Sequence, residues 1–137
     1  MSYLVDTSVI SELRKGKRAD AAVKAWFAAV DDEEIFLSVL TIGELRQGVE
    51  GIRRRDPDTA ANLDSWLARV VETHRDRLVP VDRLAAEEWG RMNVPDPVSV
   101  VDGLLAATAK ANGMTLVSRD VADVERTGVD YLDPFAG

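Results

Sequence analysis

Residues 98–120 read VSVVDGLLAATAKANGMTLVSRD, and this stretch decides the fold. Residues 98–109 are apolar on nearly every side, which is typical of a helix buried in a core. A glycine-containing helix stop follows, and residues 115–118 then form a short apolar strand. Asp102 lies inside the apolar run, and Asp120 comes just after the strand. Because an isolated ionised carboxylate is costly in an apolar segment, both acids need charged or hydrogen-bonding partners.

The rest of the chain alternates short apolar strands with helices. Further strands are predicted at residues 3–5, 35–37, 78–81 and 129–132, the third at a sheet edge because of its proline. Helices are predicted after residue 6, over 20–30, 41–54, 63–71 and 98–109, after residue 82, and from residue 120. This alternation predicts the α/β class, a three-layer α/β/α sandwich with a central parallel sheet of about five strands. Residues 1–137 are expected to form one domain.

The composition is ordinary for a globular protein, with 46% hydrophobic and 30% charged residues. There is no cysteine, which excludes disulfides and thiolate chemistry and favours a cytoplasmic location. Neither a signal peptide nor a membrane span is readable, so we expect no membrane association. The net charge of −7 argues against general, charge-driven nucleic-acid binding. A chain with this net charge can still carry a locally basic rim around an acidic site.

Four acids from distant segments are predicted to share one edge of the sheet: Asp6, Glu44, Asp102 and Asp120. Asp6 and Asp120 follow strands, and Glu44 and Asp102 are expected in the first turns of helices that begin at that edge, where such sheets bind ligands. Two carboxylates about 4 Å apart repel by about 4 kcal/mol at an effective dielectric constant of about 20. The cluster must therefore take up protons or bind a cation, and an all-oxygen site suits Mg²⁺ or Mn²⁺.

Each acid taken alone also fits a structural role at a helix start. Asp6 would hold the turn after its strand, while the pairs Thr41 with Glu44, Ser99 with Asp102, and Asp120 with Asp123 match helix caps. Capping does not require four caps at one end of one sheet, so the joint pattern favours a functional site. Both roles are compatible, because helix N-termini also reduce the repulsion between clustered anions.

His74 is the only histidine, and we expect it at the surface, which excludes a ribonuclease mechanism that uses two histidines as acid and base. Nucleophile-elbow and phosphate-binding-loop motifs are absent from the sequence. The three tryptophans fall on apolar helix faces and are expected in core or dimer contacts. Basic residues cluster near two helix ends, where solvation is the default explanation. With an acidic site nearby, they also become candidates for guiding phosphate groups: Arg14, Lys15, Arg46, Arg53 and Arg54.

Five short motifs together resemble the PIN-domain ribonucleases, and more narrowly the VapC-type toxins of bacterial VapBC toxin–antitoxin systems. They are YLVDTS at 3–8, LTIGEL at 40–45, VDGLLAATA at 101–109, TLVSRD at 115–120 and YLDP at 131–134. Each motif alone is weakly specific. Their order and spacing match the family over essentially the whole chain.

The resemblance implies an Mg²⁺-dependent endoribonuclease in which Asp6, Glu44, Asp102 and Asp120 hold the metal, with Mn²⁺ as a substitute. Thr7 would assist with its hydroxyl, Asp123 is an alternative to Asp120, and the five basic candidates would guide RNA. Ser8 departs from the asparagine that many relatives carry. The resemblance also implies a homodimer and a VapB-like antitoxin, or a larger toxin–antitoxin hetero-oligomer.

Two alternatives of other classes remain open on the sequence. An Mg²⁺-binding, receiver-like signalling domain would share a doubly wound sheet, but it would carry an acidic pair after the first strand and a lysine after the last. A non-catalytic PIN-fold binding module would keep the fold without needing the acids, and the four intact acids argue against it.

Overall fold

The computed structural model describes residues 1–119, 122 and 124–136, which form a parallel five-stranded sheet with helices on both faces. The strands are β1 (Tyr3–Val5), β2 (Ile35–Ser38), β3 (Leu78–Val79), β4 (Thr115–Val117) and β5 (Tyr131–Leu132). Their order across the sheet is β3-β2-β1-β4-β5. β3 therefore lies at an edge, as its proline predicted, and β1 lies at the centre, where Val5 pairs with Val117 of β4.

The helices are α1 (Thr7–Leu13), α2 (Ala21–Ala29), α3 (Val39–Arg53), α4 (Pro57–Thr73), α5 (Arg83–Met92) and α6 (Val100–Ala111). Short 3-10 helices occupy several of the connections, among them Glu125–Thr127 after β4 and Pro134–Ala136 after β5. In the part of the chain that the structure describes, no helix is long and apolar enough to cross a membrane.

Alternate residues of the central strands face two separate cores. Val5 and Val117 point into a core built with α1 to α4. Leu4 and Leu116, their neighbours along the strands, point into a second core that α6 fills with small and apolar residues. This period of two buries both faces of the sheet. Fully burying one such valine or leucine contributes about 1.5–3 kcal/mol, so the two cores together hold the three layers. The predicted three-layer α/β/α sandwich is confirmed.

The buried helix predicted from residues 98–109 is α6, in which Gly103 and residues 105–109 are buried. Trp89 of α5 packs directly on this helix, since a Cβ added to Gly103 would lie 3.2 Å from the Trp89 indole. The absence of a side chain at Gly103 thus permits the close contact between α5 and α6. Trp89 is half-buried in this contact, which fits the expected position of a tryptophan on an apolar helix face.

The predicted start of α3 at Thr41 is wrong. Ser38 ends β2 and also caps α3, because its hydroxyl accepts a hydrogen bond from the Leu40 N–H at 3.0 Å. The helix therefore begins at Val39, with no loop between strand and helix. Thr41 is a fully buried interior residue of α3, and Glu44 lies in the second turn rather than the first.

The strand order also identifies where a ligand site belongs. β1 connects through α1 and α2 to β2 on one side, while β4 lies on its other side, so the chain reverses direction across the sheet between β1 and β4. Doubly wound sheets bind ligands outside the carboxyl ends of the strands at such a switch point. Residues just after Val5 and Val117 lie at this position.

Candidate active site

Asp6 lies at the switch point, directly after β1, and caps α1. One of its carboxylate oxygens accepts a hydrogen bond from the Thr7 N–H at 2.7 Å. The other accepts from the Ser118 hydroxyl at 2.7 Å and from the Ser8 hydroxyl at 3.3 Å. The Asp6 N–H itself donates to the Val117 carbonyl oxygen at 2.9 Å. Groups from both central strands therefore fix the orientation of this carboxylate.

Burial raises the pKa of Asp6 above its ordinary value, and the negative charge of Asp102 raises it further. The hydrogen bonds from Ser118, Thr7 and Ser8 act in the opposite direction, because they stabilise the ionised form. The net direction is upward. The fold thus holds two carboxylates within electrostatic range of each other, in a place where a cation would lower the cost of ionising both.

The raised pKa of Asp6 predicts a specific pH dependence of stability in the absence of metal. A raised acid pKa favours the protonated folded state, so its contribution is fully present below the ordinary value of 3.8 and is lost as pH rises through the raised pKa. In chelator, the stability of wild type relative to Asp6→Asn should fall across that window and then level off. Urea unfolding at a series of pH values measures it, with Asp130→Asn as an exposed-acid control. A constant difference between wild type and Asp6→Asn would contradict the expectation.

Glu44 is joined to this cluster through Thr7 rather than by direct contact with Asp6. The Thr7 hydroxyl donates a hydrogen bond of 2.6 Å to a Glu44 carboxylate oxygen. The alternative capping role for Glu44 is wrong, because α3 is already capped three residues before Thr41. Thr7 thus connects two acids, because its N–H binds Asp6 and its hydroxyl binds Glu44 of a different helix.

Asp102 lies in the first turn of α6, as predicted. Its carboxylate accepts a hydrogen bond of 2.7 Å from the Ser99 hydroxyl, whereas Ser99 makes no side-chain hydrogen bond to the helix backbone. The Ser99 hydroxyl therefore orients the Asp102 carboxylate instead of capping the helix. The loop just before Ser99 is held by the Arg126 guanidinium, which donates to the carbonyl oxygens of residues 96 and 97 at 3.0 and 2.7 Å.

Asp120 and Asp123 lie outside the described residues. Within residues 1–119, 122 and 124–136, no three acidic, histidine or cysteine side chains are close enough to form a metal-binding group. Among the described acids, Asp6 and Asp102 lie within electrostatic range of each other. Glu44 is connected to them through its hydrogen bond with Thr7. The available donors are all hard carboxylate and hydroxyl oxygens, which fit a divalent cation such as Mg²⁺ or Mn²⁺ and not a soft metal.

Most of the basic candidates are neutralised by carboxylates. Arg46 and Arg53 both pair with Glu50 and with Asp64 of α4, and Lys15 pairs with Glu12 at 2.9 Å. The pairs with Asp64 join α3 to α4, the other pairs are local, and together they leave little free positive charge on these three residues.

Arg54 and Arg14 differ from the other basic candidates. Arg54 is exposed at the end of α3. Arg14 lies over the Trp66 ring, at 5.9 Å from its centre, and lines a cavity of about 140 Å³ that it shares with Thr7 and Glu44. Arg14 therefore lies beside two residues of the candidate site.

Ser118 was missed as a site residue by sequence reasoning. It is buried, follows β4 and donates to Asp6, although 112 residues separate the two in the chain. The motif TLVSRD contained it, but the motif drew attention only to its final acid. Its role depends on β4 being the neighbour of β1, which the sequence does not state.

Comparison with known proteins places the chain in a family. The model of the PIN domain matches residues 3–128. The VapC ribonuclease Y4jK of Sinorhizobium fredii is 31% identical over 96% of both chains, and the toxin FitB of Neisseria gonorrhoeae is 26% identical over 96% of this chain and 97% of its own length. The crystal structure of FitAcB from N. gonorrhoeae superposes with a TM-score of 0.89 at 27% identity, covering 97% of this chain and 98% of that one. The chain belongs to the PIN-domain family.

The receiver-like alternative is wrong. Receiver domains order their strands 2-1-3-4-5, whereas the order here is 3-2-1-4-5. The difference moves the switch point to lie between the first and fourth strands. Because β4 is thereby the neighbour of β1, the Ser118 hydroxyl can donate a hydrogen bond to Asp6.

Proposed function

We propose that this protein is a metal-dependent endoribonuclease toxin of a type II toxin–antitoxin pair. The observation that carries the proposal is the Asp6 carboxylate, held by Ser118 and Thr7 at the switch point of a PIN fold and coupled to Asp102. The 31% identity to a VapC ribonuclease over nearly the full length of both chains supports the same activity. RNA phosphodiester bonds would be the substrate.

The metal would be held by Asp6, Glu44 and Asp102, together with Asp120 or its near neighbour Asp123. The set supplies only hard oxygen ligands, so Mg²⁺ is the expected ion and Mn²⁺ the expected substitute. The upward shift of the Asp6 pKa supports this assignment, because a bound cation would offset both the burial and the nearby charge of Asp102.

The side chains around the acids would do the positioning. When bound, the cation would activate a water and stabilise charge on the phosphate. Ser118 and the Thr7 N–H hold the Asp6 oxygens in place, Ser99 orients Asp102, and the Thr7 hydroxyl holds Glu44. Hydrogen bonds of this kind fix ligands before the metal arrives. Metal-assisted hydrolysis needs no histidine, and the His74 ring at the end of α4 is hydrogen-bonded to the Val70 carbonyl oxygen at 2.8 Å.

A VapB-like antitoxin is the proposed partner, with a homodimer or a larger hetero-oligomer as the assembled state. The relative named as a toxin supports the existence of a neutralising partner. An acidic crevice on a chain of net charge −7 suits inhibition by a basic segment, such as an arginine placed among the carboxylates. A protein of this kind would act in the cytoplasm.

Cleavage of RNA by the purified protein, with Mg²⁺ and with chelator, tests the proposed function. We expect cleavage with Mg²⁺ or Mn²⁺, none with excess EDTA, and recovery when metal is restored. Protein freed from its antitoxin by denaturation and refolding is the appropriate sample, and a variant with both Asp6 and Asp102 changed to Asn controls for contaminating nucleases. RNA binding without cleavage under every metal condition would contradict the proposal and favour the non-catalytic PIN-fold module.

A further inference from the structure

Arg119 is an exposed arginine at the carboxyl end of β4, immediately after Ser118. Because the Ser118 hydroxyl lies 2.7 Å from an Asp6 oxygen, the backbone of Arg119 begins next to the acidic cluster. Its guanidinium carbon lies 3.7 Å from the centre of the Phe135 ring, in the 3-10 helix Pro134–Ala136. Stacking on an aromatic face fixes the position of a long and otherwise mobile side chain.

The stacked guanidinium keeps its hydrogen-bonding capacity. In the described part of the chain, Arg119 forms no hydrogen bond or ion pair, and its guanidinium carbon lies over the Phe135 ring. Its five N–H donors lie along the edge, which stacking leaves available. The Glu12 oxygens accept hydrogen bonds from the Lys15 ammonium and the Asp20 N–H, both at 2.9 Å. These bonds lower the pKa of Glu12, and the positive charge of Arg119 adds a smaller effect in the same direction.

Arg119 differs from the arginines of α3 in having no carboxylate partner in the described part of the chain. Arg46 and Arg53 each have two carboxylate partners, so their charge is largely cancelled. An acidic protein that acts on a polyanion needs a fixed positive charge near its site, because the net charge of −7 repels the substrate at long range.

We propose that Arg119, held by Phe135, binds an RNA backbone phosphate adjacent to the acidic cluster. The guanidinium edge matches two phosphate oxygens, which permits a bidentate, charge-assisted contact. Such a contact carries no base preference and contributes to affinity. The inference rests on the proposed function for the identity of the substrate. It assigns a substrate-binding role to a residue outside both basic clusters recognised in the sequence.

Binding of a short single-stranded RNA, measured by fluorescence anisotropy at several salt concentrations, tests the proposal. The Asp102→Asn protein in excess EDTA serves as the background, so that the RNA is not cleaved. Adding Arg119→Ala should weaken binding about tenfold and lower the slope of log K against log salt by about 0.7, the value for one phosphate contact on a single strand. Adding Phe135→Leu, which keeps an apolar side chain but removes the ring, should give a smaller loss in the same direction. Arg69→Ala, at an exposed position of α4, is the matched control and should change neither the affinity nor the salt slope.

Steady-state cleavage then separates this inference from the proposed function. In the active protein, Arg119→Ala should raise KM about tenfold and leave kcat within about twofold, with partial recovery in Arg119→Lys. Unchanged KM and salt slope in Arg119→Ala, with cleavage intact, would overturn the phosphate contact and leave the ribonuclease proposal standing. Arg119-dependent RNA binding without cleavage would overturn the ribonuclease proposal and support the contact. An equal loss for Arg69→Ala would show only a general charge effect and overturn the assignment.

Discussion

The Asp102→Asn protein should fold normally and lose roughly 100-fold or more of its RNA cleavage rate at a fixed Mg²⁺ concentration. Asparagine preserves the shape of the side chain and keeps an oxygen that can accept from the Ser99 hydroxyl, which lies 2.7 Å from Asp102. The substitution therefore removes one formal charge and one carboxylate oxygen from the proposed metal site while leaving local structure in place.

Asp96→Asn is the matched control for this substitution. Asp96 is an exposed acid of the loop that precedes α6, six residues before Asp102. Its change should leave the cleavage rate within about twofold, as is usual for surface substitutions. Cleavage by Asp102→Asn at the wild-type rate would show that Asp102 has only a structural role.

The Glu44→Gln protein should show a loss of similar size, and Thr7→Val a loss of about tenfold. The Thr7 hydroxyl donates to Glu44 at 2.6 Å, so we expect it to act by orienting that carboxylate. In the double variant, the two effects should not add, because removing Glu44 removes the group through which the Thr7 hydroxyl works.

Initial cleavage rates of the wild type, both single variants and the double variant give this coupling directly. Glu33→Gln is the control, because Glu33 is exposed in the 3-10 helix Asp32–Glu34, before the start of β2, and the change removes the same charge outside the acidic cluster. Fully additive effects would mean that the Thr7 hydroxyl acts independently of Glu44, for example by contacting the substrate.

The parts of the fold that depend on local pattern could be predicted from the sequence. The apolar run of α6, its glycine stop and the short apolar strand that follows are readable within about twenty residues. The start of α3 could not be read in the same way. Ser38 serves both as the last residue of β2 and as the helix cap, and sequence patterns favour a loop between such elements.

For the candidate site, the sequence indicated the acids and Thr7 but not the hydrogen bonds that join them. The hydrogen bonds of Asp6 with Ser118 and of Thr7 with Glu44 join residues 112 and 37 positions apart. They depend on which strands and helices become neighbours, and the order of strands in a sheet is not written in local periodicity. The ion pairs of the basic candidates could not be predicted from the sequence for the same reason. Asp64, which neutralises Arg46 and Arg53, approaches them only because α4 packs on α3.

The measurement that tests the proposed metal site most directly is the thermal unfolding of wild type and Asp102→Asn with and without Mn²⁺. Without metal, Asp102→Asn should be more stable by about 1 kcal/mol, because the repulsion between Asp102 and Asp6 is relieved. At a Mn²⁺ concentration about 100 times its dissociation constant, wild type should gain about 2.7 kcal/mol, a rise of roughly 10 °C in Tm. The variant should gain far less at that concentration. Equal Mn²⁺-induced shifts in the two proteins would contradict a metal site that includes Asp102.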